Sequence, residues 1–320
     1  MVLIVNNGHS SQFLNKKRTS SERLIDEGFK RIAVCMAAIV GGLLLAIFIV
    51  VFSGAFESMS HYGLEFMVIS EWNPVTDQYG AFTAIYGTIL TSLASISIAL
   101  PLGVGTAIMI TEDILPLKLR KLIGLMIELL AAIPSVVLGL WAIFVMEPFL
   151  RPFLSGLHTN FSWIPFLSTK PIGPGIAPAI LILVIMILPI VTSISRDSLN
   201  QVPQKLREAA YGIGATRWTA IFHVLLPAAI SGITGGVLLA LGRALGETMA
   251  VTMIIGNSLN FNWSILGPGN TISSMLANQF GEADGSQVSS LMYAAFILMI
   301  LTLIVNIIAQ WLVKRLSLKY

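Results

Sequence analysis

Two charged residues sit where charge is costly. Arg243 and Glu247 fall within Leu241-Gly242-Arg243-Ala244-Leu245-Gly246-Glu247-Thr248-Met249-Ala250, inside a longer run of apolar and small residues. In lipid, each such charge costs at least about 2.5–3.5 kcal/mol, so an ionisable residue there marks a functional site by default. A helix puts positions i and i+4 on one face. Gly236, Ala240, Arg243, Glu247 and Ala250 then form one stripe of small residues carrying the pair. Small residues either admit a second helix closely or leave room for a solvated passage. A guanidinium stays charged and presents a planar fork suited to oxyanions. Two roles are open. The pair neutralises itself and holds the bundle together, or Arg243 faces a path and meets an anionic solute while Glu247 tunes it.

Other chemistry is missing from the sequence. No Lys follows a Gly, so there is no phosphate-cradling P-loop. His9, His61, His158 and His223 are far apart, with no H-E-x-x-H, and no Gly-x-Ser-x-Gly occurs. The single Cys35 excludes an internal disulfide and a Cys-based zinc cluster. The expectation is a chain that is not an enzyme and binds no cofactor of its own.

The elements that position Arg243 and Glu247 follow from composition. Of 320 residues, 55% are hydrophobic and 11% charged, against about 25% charged in an ordinary soluble chain. Mean hydropathy is +0.84. So few charges cannot cover a water-facing surface, and lipid must be the main solvent. A membrane helix needs about 20 mostly apolar residues. Six segments qualify: Ile32–Phe52, Ala84–Ile110, Leu122–Met146, Ile176–Ile194, Ala228–Ile255 and Leu291–Val313. The first is too long for the apolar core of a cleaved signal peptide, about 7–15 residues. The expected fold is an all-α, six-helix membrane bundle. Its parts are an N-terminal arm over 1–31, a first span over 32–52, and a five-helix core over 84–313 with an inner loop over 195–227.

Charge placement orients the bundle. All Lys and Arg except Arg151, Lys170 and Arg243 fall in the N-terminal arm, in the loops before spans three and five, or at the C-terminus. The positive-inside rule puts those segments, and both termini, in the cytoplasm. The pI near 9.0 therefore reflects topology and gives no reason to expect nucleic acid. The outer loops carry Glu57, Glu65, Glu71, Asp77, Glu282 and Asp284. They read as solvated loop or as a docking surface for a soluble partner. A longer outer loop over 147–175 is rich in Pro and aromatic residues. Within the spans, Pro134 frees the Leu130 carbonyl and is expected to kink span three. Thr88, Ser92 and Ser95 are expected to bond back to their own helix or to a neighbour.

The inner loop Ser195–Pro227 has its own pattern. Pro203 suits a first helical turn. Gly212 and Gly214 can take positive φ and stop that helix, and Thr216 can cap a second one running to Pro227. Glu208-Ala209-Ala210, three residues, Gly214, nine residues, then Val224-Leu225-Leu226-Pro227 resembles the E-A-A-x3-G-x9-I-x-L-P motif of ABC-importer permeases. Only Val224 for Ile departs from it. The resemblance implies that Glu208, Ala209, Ala210 and Gly214 belong to a helix that docks on a separate ATPase subunit.

The stretch Gly242–Val251, with Tyr86-Gly87-Thr88 and Glu128–Ser135, is similar to the permease of phosphate ABC importers, the PstC type. The likeness runs from about Asn73 to the C-terminus. It implies a second permease of PstA type, two ATPase subunits that carry ATP and Mg, an external phosphate-binding protein, and a place in the inner membrane. It also implies that Arg243 and Glu247 serve phosphate transport. Phosphate near neutral pH keeps a proton that a carboxylate can accept, and sulfate does not. Another oxyanion such as sulfate, molybdate or phosphonate, a role mainly in phosphate signalling, and a free-standing secondary carrier are the alternatives.

Overall fold

The computed structural model of the chain describes residues 20–316, with side chains for 25–311. Most of the basic arm, including Lys16, Lys17 and Arg18, and the C-terminal Lys319 lie outside the described residues. The chain forms two compact units, 1–51 and 52–320. The described part of the first is helix α1 (Ser20–Tyr62) up to Val51. Its large apolar side chains from Ile25 to Val50 are exposed, as lipid-facing residues are.

The second unit holds the rest of α1 and then α2 (Phe82–Thr111), α3 (Leu117–Ala132), α4 (Ser135–Trp141), α5 (Glu147–Phe161) and α6 (Ile176–Asn200). Next come α7 (Gln204–Gly212), α8 (Arg217–Ala220), α9 (Leu226–Gly246), α10 (Met249–Ile254), α11 (Ile272–Gln279) and α12 (Gly285–Leu316). A two-residue-per-strand hairpin, Trp72–Asn73 with Gln78–Tyr79, precedes α2. Among the described residues six helices are long and apolar enough to cross a membrane. Helix α6 is the hub, packing on α2 and on α9. Its Ile180, Ile182, Leu183, Ile187 and Val191 fill the main core with Ala240, Ala244 and Ile254.

The third span differs from the expectation for Leu122–Met146. Pro134 does more than kink it. A residue before proline is pushed out of the helical region, and Ile133 stands at φ −71°, ψ 126°. The helix ends at Ala132 and restarts at Ser135. It then continues past Met146 to Phe161, so the first half of the expected 147–175 loop is helical.

Two wide turns explain how prolines enter these helices. Ala142–Met146 and Ile221–Leu225 are single π-type turns, and each ends two residues before a proline, Pro148 and Pro227. Proline lacks an N–H and its ring clashes with the carbonyl four residues back. In the wide turns the Glu147 and Leu226 N–H groups donate five residues back, to Ala142 and Ile221, which accommodates the ring. The inner loop's second helix is therefore not a separate piece ending at Pro227. It runs without interruption from Arg217 to Gly246.

Span five has a break of its own. Helix α9 stops at Gly246, Glu247 is extended (φ −67°, ψ 121°), and α10 restarts at Met249. The following segment, 255–271, is folded into the bundle, with Ser264, Leu266, Asn270 and Thr271 buried. Its Ile265 and Gly267 carbonyls accept from Ala177 and Ile176 N–H (2.8 and 3.1 Å), while the Gly175 N–H donates to Ile254 (2.8 Å). These bonds satisfy donors that the first turn of α6 leaves unpaired.

Candidate substrate path and docking face

Helix register fixes the depth of the charged pair. Gly232 abuts Ser198 and Gly236 abuts Ile194, so α9 runs antiparallel to α6. The Gly175 bond to Ile254 brings the end of α10 level with the start of α6. Glu247 lies seven residues before Ile254, so at 1.5 Å per residue it sits about 10 Å below that end of α6. The pair is therefore within the bundle, in the half away from the basic loop. The stripe expected along α9 is not one open face. Gly236 and Ala240 are buried against α6, whereas Arg243 at the end of the helix is exposed.

The two charges touch only loosely. Arg243 Nη2 is 3.9 Å from Glu247 Oε2, with side-chain exposures of 44% and 9%. Glu247 Oε1 accepts from the Ala250 N–H across the break (3.4 Å). On the other side of the break, Ser273 Oγ donates to the Leu245 carbonyl (3.3 Å) and Thr248 Oγ1 to that of Gly246 (3.1 Å). Non-helical backbone at membrane depth is tolerated where protein buries it or where it lines a wet cavity. Here Glu247 accepts from the backbone, and among the described residues the guanidinium beside it makes no hydrogen bond. Helix α10 is clamped against α4. A Cβ on Gly139 would stand 3.1 Å from Ala250 Cα and 2.7 Å from Met253 Sδ.

The hydroxyls of span two mostly bond to their own helix. Thr88 and Ser92 donate to the carbonyls of Ala84 and Thr88 (2.7 Å each), and Ser95 to that of Ser92 (2.9 Å). Thr88 Oγ1 also accepts from the Ile272 N–H (3.0 Å), fastening α11 to α2. Glu128 stays exposed, 3.6 Å from Arg196.

The basic loop presents its motif outward. Pro203 caps α7, Gly214 takes φ +84°, and Thr216 Oγ1 accepts from the Thr219 N–H to start α8 (3.3 Å). Gly212 stays helical as the last residue of α7. Glu208, Ala209 and Gly214 are exposed, and Ala210 is buried. Around them Tyr211, Ile213, Trp218 and Phe222 are exposed, with Trp218 and Phe222 stacked 6.1 Å apart. Apolar residues clustered at the aqueous end of a bundle mark an interaction face. The inward side of α7 is anchored by Arg207. Its Nη1 lies 2.7 Å from Glu112 Oε1 and its Nη2 donates to the Leu199 carbonyl (2.8 Å).

Among the ion pairs that were not singled out from sequence, two have buried carboxylates. Arg207–Glu112 joins residues 95 positions apart, and Glu112 next to Asp113 at the end of span two was its only local sign. The other is Glu147–Arg151, where Arg151 Nε and Nη2 donate to Glu147 Oε1 and Oε2 (2.7 and 3.0 Å). The i,i+4 spacing announced that pair, but an extended loop was expected there.

Residues 99–318 match the family model described as the binding-protein-dependent transport system inner membrane component. A Mesorhizobium japonicum protein named phosphate transport system permease protein PstC is 43% identical over 291 residues, covering 89% of this chain and 88% of its own. One of the same name from Haemophilus influenzae is 40% identical, covering 92% and 94%. Among solved structures, a bacterial alginate ABC transporter, in complex with an alginate-bound periplasmic protein, has a chain superposing with a TM-score of 0.59. That chain is 16% identical, with 91% of this chain and 97% of that one covered. A chain of the MetNI methionine ABC transporter, in an inward-facing conformation, gives 0.54 at 18% identity, covering 73% and 95%. These likenesses fix the fold as that of an ABC-importer membrane subunit. The chain belongs to the binding-protein-dependent transport system inner membrane components, as a multi-pass permease of the inner membrane.

Proposed function

We propose that this chain is one permease subunit of an ATP-driven importer of inorganic phosphate, and that Arg243 and Glu247 line the route. Its relatives' names supply the substrate. The observation that carries the site is the half-exposed Arg243 guanidinium at a helix break, deep in the bundle, beside a backbone-held carboxylate. A guanidinium binds oxyanions through paired N–H donors, and Glu247 can accept the proton that phosphate retains. The basic end faces the cytoplasm with both termini. The face around Glu208, Ala209, Ala210 and Gly214 meets an ATPase subunit, which carries ATP and Mg on its own chain. A PstA-type permease, a second ATPase subunit and an external phosphate-binding protein complete the assembly. Closure of the ATPases draws the α7–α8 loops together and turns the bundle outward.

The test is uptake of labelled phosphate by the reconstituted complex. Arg243→Gln abolishes uptake while every subunit still co-purifies. Normal uptake by that variant would remove Arg243 from the route. Unlabelled sulfate competing as well as unlabelled phosphate would remove any preference for phosphate over other oxyanions.

A further inference from the structure

The turn after α2 is gripped by three arginines, one from each element that meets it. Arg207 of α7 pairs with Glu112 (2.7 Å). Arg217 of α8 donates to the Asp113 carbonyl (3.3 Å). Arg120 of α3 reaches the Asp113 carboxylate (2.6 Å) and donates to the Ile110 carbonyl (3.4 Å). Asp113 adopts φ +50°, which turns its carboxylate and its carbonyl to different partners. Glu112 is nearly closed off, 4% exposed, with Arg207 at 16%. A cavity of about 320 Å³ lies beside the corner, lined by Gln204, Glu208 and Tyr211 as well as the charged residues.

Apolar packing links the loop to α3 only indirectly, since α3 lies on α6 and α2 through half-buried side chains. The loop joins α2, α6 and α9 through Ala107, Ile108, Leu199, Ile221, Leu225 and Ala229. Helix α3 contributes no buried side chain. Its polar ties are Arg120 to this corner and Glu128 to Arg196 of α6 (3.6 Å). It ends at the Ile133–Pro134 break, so its position is not tied to that of α4 by continuous helix.

We propose that the Glu112–Asp113 corner carries movement of the α7–α8 loop to α3, with Arg207, Glu112, Asp113 and Arg120 as positioning residues that never touch the solute. This rests on the ATPase-docking reading of that loop. Rigid transmission needs elements with defined alternative arrangements that both ends bias. The Arg207–Glu112 pair is the buried half of the corner, 16% and 4% exposed. The link onward to α3 is the close Arg120–Asp113 contact, in which Asp113 is 78% exposed and held by its φ of +50° and by Arg217 on its carbonyl.

The experiment uses the assembled complex in lipid nanodiscs, with Cys35 replaced by serine. Spin labels are placed in pairs at exposed positions, Ile213 with Val75 and Met126 with Val75. In the parent complex, nucleotide shifts both distances. In Glu112→Gln, and in Arg207→Lys as the milder change, the ATPase co-purifies in the usual ratio and the Ile213 distance still shifts. The Met126 distance does not, and phosphate taken up per ATP hydrolysed falls about tenfold, within the range of single-residue coupling effects. Asp113→Asn gives the same loss at Met126 while leaving the Glu112–Arg207 pair in place. Unchanged Met126 shifts with unchanged uptake per ATP overturn the proposal. So does loss of the ATPase from the variants, which would make the corner part of the docking face. A parent chain that recruits no ATPase, or shows no shift at Ile213, overturns the docking reading, and the proposal with it.

Discussion

Two Arg–Glu pairs at i,i+4 spacing have opposite characters. In Glu147–Arg151 both carboxylate oxygens accept from one guanidinium, at 2.7 and 3.0 Å. In Arg243–Glu247 the nearest approach is 3.9 Å. Order along the helix is one cause. Glu N-terminal to its cation is the better arrangement, and Glu147–Arg151 has it. In the other pair the order is reversed, and the helix stops between the partners, sending Glu247 into an extended backbone. The first pair satisfies itself, and it lies close enough to Gly173 that a Cβ there would stand 3.2 Å from Arg151 Nη2. The second leaves its guanidinium 44% exposed, with no hydrogen bond to another described residue. The same two residue types close on each other in one place and stand apart in the other, and local backbone decides which.

This contrast can be broken at several points. The largest expected effect is on Arg243. Arg243→Gln lowers phosphate uptake by about 100-fold, toward the lower end of the about 2–5 kcal/mol for losing one partner of a buried charge contact, because Arg243 is 44% exposed. Arg151→Gln changes it less than threefold, and equal losses in the two variants would erase the distinction. Arg243→Lys retains charge but not the fork, so a partial defect is expected, seen as a raised half-saturating phosphate concentration with assembly unchanged. Glu147→Gln acts on stability instead. It removes a charged acceptor that is 7% exposed from an arginine that is 51% exposed. The half-open partner limits the loss to about 1 kcal/mol, read as a slightly lower melting temperature with transport per folded complex preserved.

The smallest effect concerns Glu112, the buried acid of a third pair. Burial raises its carboxyl above the ordinary carboxylate range, with Arg207 opposing the shift. As pH falls toward that range, the folded chain takes up this proton before the unfolded chain does. Acidification therefore adds stability through this group, and the gain fades as pH rises through its folded value. Relative to Glu112→Gln, the parent complex should gain melting temperature between neutral and mildly acid pH. Uptake per ATP should fall over the same interval as the pair with Arg207 discharges. A relative loss of melting temperature on acidification would reverse the sign assigned to Glu112.

The sequence showed most clearly what is written in local spacing. Thr216, Pro203 and Gly214 act in the loop as their residue types imply, because caps and turns depend on a few neighbouring atoms. Six apolar runs were enough for the bundle. The break at Glu247–Thr248 was hidden. Gly-Glu-Thr-Met reads as continuing helix, and the groups that stabilise the break include Ser273, distant in sequence. Pro134 was visible, but whether it bends or severs a helix depends on what packs behind it, here the close fit of Gly139 on α10. Pro148 and Pro152 argued for a loop, but the wide turn at Ala142–Met146 accommodates the first and the second lies inside α5.

That kind of turn has a mechanical consequence in span five. Because Ile221–Leu225 accommodates Pro227 without severing the helix, a single shaft extends from Arg217 to Gly246, about 45 Å at 1.5 Å per residue. One end carries Trp218 and Phe222, open to whatever grips the loop. The other ends against the unwound peptide next to Arg243. A proline and a wide turn are where a helix bends most readily, so the rod's weak point lies close to the loop, with unbroken helix from there to the break beside Arg243.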